Sequence, residues 1–260
     1  MSDPLLVERL EGDVVVLTLH DPDRRNAMTA ELTAAWGAAM ATLADDETLR
    51  AVVVTGSGTA FCSGGDLSWL ADEPENVTPT MLRSKMYPFY RAWLRIRDLP
   101  VPSVAAVNGP AVGAGLCLAL ACDLRFASPS ARFSAPFTTL GMHPGMAATW
   151  LLPEAVGMPR AREMFFGGRV VSASEAVSWG LASAEVEDVV GHAIAVASSI
   201  ASAAPIATRL TKAALAHPYR SFAEALEWEA AAQPITMATS DLLEGMAAVR
   251  ERRSPRFTGA

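Results

Sequence analysis

Three short apolar runs, residues 13–19 (DVVVLTL), 50–55 (RAVVVT) and 102–107 (PSVAAV), constrain the fold more than any other feature of the chain. Each is too short for a core helix, and each leads through turn residues into a helical pattern, at about 29–44, 79–97 and 113–121. Residues 123–127 read as one more strand. Strands alternating with helices predict an α/β layered fold. From about residue 185 the pattern is helical: alanine-rich over 186–203, then 205–216, 221–232 and 239–250, punctuated by Pro205, Pro218 and Pro234. No linker or repeat divides the chain. The expectation is one domain, with a core over 1–200 and a helical C-terminal region over 201–260.

Composition removes several function classes. A net charge of −7 and the absence of a basic stripe argue against a nucleic-acid partner. The longest uncharged, mostly apolar stretch, 110–122, is shorter than the roughly 20 residues a membrane span needs. Cys62, Cys117 and Cys122 make neither a disulfide framework nor a CxxC pair, which suits a reducing compartment. MSDPLLVERLEGD meets charge at once and has no apolar core, so no secretory signal is expected and a cytoplasmic location is. No Cys/His cluster has metal-ligand spacing, and GAGLCL is not a dinucleotide fingerprint.

Two glycine-rich turns carry the chemistry. Phe61-Cys62-Ser63-Gly64-Gly65-Asp66 follows a strand, and its adjacent glycines let the backbone bend and present N–H groups. Asn108-Gly109-Pro110-Ala111-Val112-Gly113-Ala114-Gly115 is a strand–turn–helix start, where unpaired N–H groups and the helix dipole favour negative charge. Converging N–H groups from two such loops make an oxyanion hole; taken singly, each turn is equally a strand-to-helix connection.

Together the turns and their neighbours resemble the enoyl-CoA hydratase/isomerase, or crotonase, superfamily. The matching stretches are HDPDRRNAM, AFCSGGDL, PSVAAVNGPAVGAGLCLALACDLRFAS, LGMHPG and VSASEAVSWGLA, and the resemblance runs from about residue 5 to about 257. It implies a spiral of ββα units with C-terminal helices that assemble a homotrimer or a dimer of trimers. The implied substrate is an acyl-CoA thioester, with coenzyme A part of the substrate and no separate cofactor. The implied enolate donors are the N–H groups of Ser63 and Ala114, with Gly64, Gly65 and Gly113 permitting close approach. The loop holding Arg24, Arg25 and Ala27 corresponds to the family's adenosine-binding loop. There the arginine pair is either a phosphate contact or a solvated surface pair.

The same resemblance puts the family's acids at three positions, occupied here by Cys117, Phe137 and Gly145. None is a carboxylate. Cys117 reads either as a small core residue or as a thiol one helical turn beyond Ala114. Phe137 and Cys117 are expected to line an apolar acyl pocket. His143 is the only group within residues 133–150 that titrates near neutral pH. It is the candidate proton carrier, or else a loop histidine bonded to backbone. Asp66 is expected to cap the helix after it, and Tyr87, Glu154 and the other histidines, His217 among them, are weaker candidates. Two readings stay open: an enzyme acting through a thioester enolate, and a non-catalytic acyl-CoA binding protein that keeps the pocket.

Overall fold

The fold was analysed in a computed structural model that describes residues 3–66, 68, 77–216 and 221–260; His217 lies outside them. Ten α-helices are found among these residues. They are α1 (Ala30–Ala44), α2 (Pro79–Leu94), α3 (Ala114–Ala121), α4 (Ala148–Val156), α5 (Met158–Gly167), α6 (Ala173–Trp179), α7 (Val189–Ala201), α8 (Pro205–Ala216), α9 (Phe222–Met237) and α10 (Ser240–Glu251). A six-stranded sheet runs in the order β1 (Leu5–Arg9), β2 (Val14–Leu19), β3 (Ala51–Gly56), β4 (Ser103–Val107), β6 (Leu124–Ala127), β9 (Ala184–Glu185). A smaller sheet joins β5 (Ala111–Val112), β7 (Arg132–Ser134) and β8 (Val170–Ser172). From β2 to β9 the large sheet is parallel, and only β1 pairs antiparallel.

Burial explains the strand sequences. Every residue of β3 and β4 is buried, as strands covered on both faces must be. Val15, Leu17, Val52 and Val54 face the main core, while Val14, Val16, Val53 and Val104 face a smaller cluster under α7. Across the main core, Trp36 of α1 stacks on Trp93 of α2 with ring centroids 4.8 Å apart. Each indole N–H finds an acceptor, Ala92 O at 3.2 Å and Thr33 Oγ1 at 3.1 Å, so the rings bury their area without stranding a donor. Thr29 accepts the Leu32 N–H and starts α1.

The C-terminal helices are fastened to this core by cations that reach backbone. Lys212 of α8 is buried, donates to Val101 O at 2.7 Å and pairs with Asp123 at 2.9 Å. Arg209 donates to Glu47 O at 2.7 Å. The tail folds back on α10, where the buried Asp241 carboxylate accepts from the Thr258 and Gly259 N–H groups. No single described helix is long and apolar enough to cross a membrane.

One sequence boundary moves. Helix α9 passes through Pro234 and ends at Met237 rather than stopping near residue 232. Proline removes the N–H that Ala230 O would accept, but Ala230 is exposed and water can take its place. The strands β1, β5, β7, β8 and β9 and the helices α5 and α6 were not marked by the pattern of the sequence. Most of these strands are two or three residues long, too short to show any periodicity.

Candidate active site

The site is built at the carboxyl ends of β3 and β4, where parallel sheets leave their loops free to converge. Two asparagines arrange those loops. Asn26 is fully buried, and its Nδ2 donates to Ser57 O at 2.9 Å and Ala60 O at 2.8 Å, with Phe61 O at 3.3 Å. Its Oδ1 accepts the Asp21 N–H at 2.9 Å. Three carbonyls around one atom identify that atom as the nitrogen. Asn108, at the end of β4, accepts the Gly56 N–H at 3.1 Å and donates to Gly58 O at 3.2 Å. The segment between Gly56 and Phe61 is thus gripped from both sides.

Beyond it the two glycine turns pair with each other. Cys62 N–H donates to Pro110 O at 3.1 Å, and Val112 N–H donates to Cys62 O at 3.0 Å. Gly64 has φ +104° and Gly113 φ +55°, left-handed values that side chains resist. A Cβ on Gly64 would stand 2.7 Å from Val112 O and 3.5 Å from Ala114 N, so the first turn lies directly against the start of α3. Residues 24–28 run alongside: Ser63 Oγ donates to Arg24 O at 3.2 Å, and Met28 N–H donates to Gly64 O at 2.8 Å.

Tracing each N–H shows what the turns leave open. Ser63 N–H is donated to Arg25 O at 3.0 Å and Gly113 N–H to Ser134 O at 2.9 Å. Among the described residues, the N–H groups of Gly65 and Ala114 have no acceptor. The expectation for Ser63 therefore needs correction, because its N–H already has a partner within the fold; the available neighbour of Ala114 is Gly65. Helix α3 begins at Gly113 with no side-chain cap and no acidic residue in its first turn, so its positive end is uncompensated. Two open N–H groups in adjacent turns can hold an oxygen that gains negative charge.

The side chains around these donors are mostly apolar. The Phe137 ring lies 3.8 Å from where a Cβ on Gly113 would be, and Phe89 lies 3.8 Å from the same point on Gly65. Cys117 packs beneath them and donates to Gly145 O at 3.7 Å. It is fully buried, so it forms the floor of the patch rather than an open pocket wall, and burial pushes its thiol up to about 12. Tyr90, absent from the sequence candidates, is half-buried against the same cluster, and burial also raises its phenol.

Other expected residues are placed differently. His143 is exposed, with Nδ1 2.7 Å from Pro144 O, so the structure turns it to solvent instead of bringing it to the donors. Tyr87 is 52% exposed beneath the Arg83 guanidinium. Glu154 lines a separate cavity of about 670 Å³ at the far end of α3, bordered also by Arg97, Arg125 and Lys212, which contains none of the other residues expected at the site. Arg24 and Arg25 are exposed beside Ser63, with Ala27 half-buried behind them. The Asp66 carboxylate accepts the Ser68 N–H at 2.9 Å, which holds its pKa below the usual range.

Comparisons with known proteins identify the family and the fold. The sequence profile of the enoyl-CoA hydratase/isomerase family matches residues 9–260. The probable enoyl-CoA hydratase EchA14 of Mycobacterium tuberculosis H37Rv is 43% identical over 220 residues, covering 83% of this chain and 84% of that protein. The 1,2-epoxyphenylacetyl-CoA isomerase of Escherichia coli K12 is 33% identical over 98% of both chains. Among solved structures, the enoyl-CoA hydratase of Bacillus anthracis superposes with a TM-score of 0.92 at 32% identity, over 99% of this chain and all of that one.

The loop architecture makes a stability prediction. Asn26→Ala removes the donor from the Ser57 and Phe61 carbonyls and leaves Ala60 O only the longer bond from Asn108, and each uncompensated buried group costs about 1–3 kcal/mol. Urea unfolding should show a loss of about 2–4 kcal/mol. A loss below about 0.5 kcal/mol, the usual size for a surface change, would mean that the amide does not hold the loop.

Proposed function

The chain belongs to the enoyl-CoA hydratase/isomerase family, and on that footing we propose that it binds an acyl-CoA thioester and stabilises its enolate on the N–H groups of Gly65 and Ala114. One observation carries the reading: two unpaired N–H groups stand in adjacent turns at an uncapped helix start. Removing a proton α to a thioester carbonyl moves charge onto the carbonyl oxygen. Fixed donors aimed at that oxygen lower the barrier, each by about 3–4 kcal/mol. The exposed Arg24 and Arg25 flank the turn and suit the phosphates of coenzyme A.

The side chains around the donors weigh against hydration. Adding water across a double bond asks for an acid and a base, each within hydrogen-bond reach. Phe137 can be neither, and burial keeps the Cys117 thiol protonated at neutral pH. Three free, buried cysteines suit a reducing compartment, and we place the protein in the cytoplasm. We also read the assembly as a trimer or a dimer of trimers. Leu243, Met246 and Val249 on α10 are exposed, as are Phe222 and Leu226 on α9, and so much exposed apolar surface on adjacent helices calls for a partner.

Three measurements test this reading. Replacing Ala114 by proline deletes one donor, and calorimetry should show acyl-CoA affinity falling at least tenfold while circular dichroism stays unchanged. Equal affinity would remove Ala114 from the site. Crotonyl-CoA hydration should run about 10⁴-fold or more below a typical rate, since an acid and a base contribute about 10²–10⁴ each; a brisk rate would point to acids elsewhere in the chain. Sedimentation at micromolar concentration should give three or six chains per particle, and a monomer would overturn the assembly.

A further inference from the structure

The Tyr90 hydroxyl occupies a place that nothing in the enolate reading uses. A Cβ on Gly145 would collide with Tyr90 Oη and lie 2.8 Å from its Cζ, so the phenol fills the space a side chain at 145 would need. Gly145 is the position where the resemblance puts an aspartate in some isomerases. Its carbonyl also receives the Cys117 thiol, and Cys117 is one helical turn from Ala114. The hydroxyl therefore belongs to the apolar wall beside the two turns, together with Phe89, its tilted neighbour at 6.0 Å between ring centroids, whose ring lies 3.8 Å from where a Cβ on Gly65 would be.

Among the described residues, Tyr90 Oη makes no hydrogen bond. The residue is half-buried, so the hydroxyl, able to donate and to accept, remains accessible beside the apolar patch. A bound molecule can provide the partner. Burial raises the phenol pKa, so at neutral pH it remains O–H and acts as a donor. A site with a waiting donor rejects an analogue that cannot accept from it, because the donor is then desolvated and left unpaired.

Resting on the acyl-CoA reading above, we propose that Tyr90 is a specificity-determining residue, whose hydroxyl selects acyl groups carrying an oxygen substituent within the first few carbons beyond the thioester over plain hydrocarbon chains. The test is calorimetry on the purified full chain with butyryl-CoA, 3-hydroxybutyryl-CoA and 4-hydroxybutyryl-CoA. At least one hydroxylated thioester should bind about fivefold or more tightly than butyryl-CoA, the size expected of one added hydrogen bond. Tyr90→Phe should erase that ratio and leave butyryl-CoA affinity unchanged within about twofold. Gly145→Ala, whose methyl displaces the phenol, should also erase it and serves if the first variant folds poorly. Ratios near one in the parent, or a preference that survives both variants, would overturn the assignment. Binding of none of the three thioesters would sink the acyl-CoA reading itself and this inference with it, a result distinct from equal binding of all three.

Discussion

A buried side-chain amide, Asn26, and a half-buried one, Asn108, must find partners, and the rest of the site depends on how they find them. Asn26 and Asn108 arrive from different loops, and both donate to the same carbonyl, Ala60 O, at 2.8 and 3.3 Å. Leaving the buried Asn26 amide unpaired would cost about 1–3 kcal/mol per group, a large fraction of a domain's stability. The segment from Gly56 to Phe61 therefore has one favourable path. That path delivers Cys62 to Pro110 and Val112, and the pairing there sets Gly64 against the start of α3. The open N–H groups of Gly65 and Ala114 are positioned by amides that need never meet a substrate.

Electrostatics at this point come almost entirely from backbone. Helix α3 buries seven of its eight residues, Gly115 to Ala121, and carries no charged side chain at either end. Its dipole is thus neither neutralised at the N-terminus nor screened by neighbouring solvent along its length, the condition in which it counts most. The nearest negative charge in sequence is Asp66, next to one of the donors. Its carboxylate is partly exposed and engaged by the Ser68 N–H, so solvent weakens its repulsion of an anion. The donors win.

How much of this was legible in the sequence depends on the length scale of the signal. Long, strongly patterned segments such as β3 and α1 declared themselves, and the paired turns could be located to within a residue or two. The choice between Ser63 and Gly65 could not be made that way, because it turns on where one N–H points. The deciding acceptor, Arg25 O, lies 38 residues earlier in the chain. Tyr87 and Tyr90 posed a similar problem of phase on one helix: three residues apart, they sit nearly a turn apart, yet one meets Arg83 at the surface and the other meets the core. His143 was selected by chemistry alone, and a surface carbonyl claims its Nδ1. Nothing local to Asn26 announces that three distant carbonyls surround its amide.

The division between backbone and side chains has a consequence for what such a site can become. An N–H donor does not depend on the identity of its residue, so enolate binding tolerates almost any replacement that preserves the two turns. The surrounding side chains are under no such constraint, and here they have become Phe89, Phe137, Cys117 and Tyr90. A carboxylate at position 145 would be ionised at neutral pH and would repel a neighbouring enolate unless it held the abstracted proton. The phenol that fills the same space stays neutral, so it can stand beside a negative oxygen without penalty and still offer a hydrogen. On the reading proposed above, exchanging a titrating group for a neutral donor would keep thioester recognition and add discrimination among acyl groups.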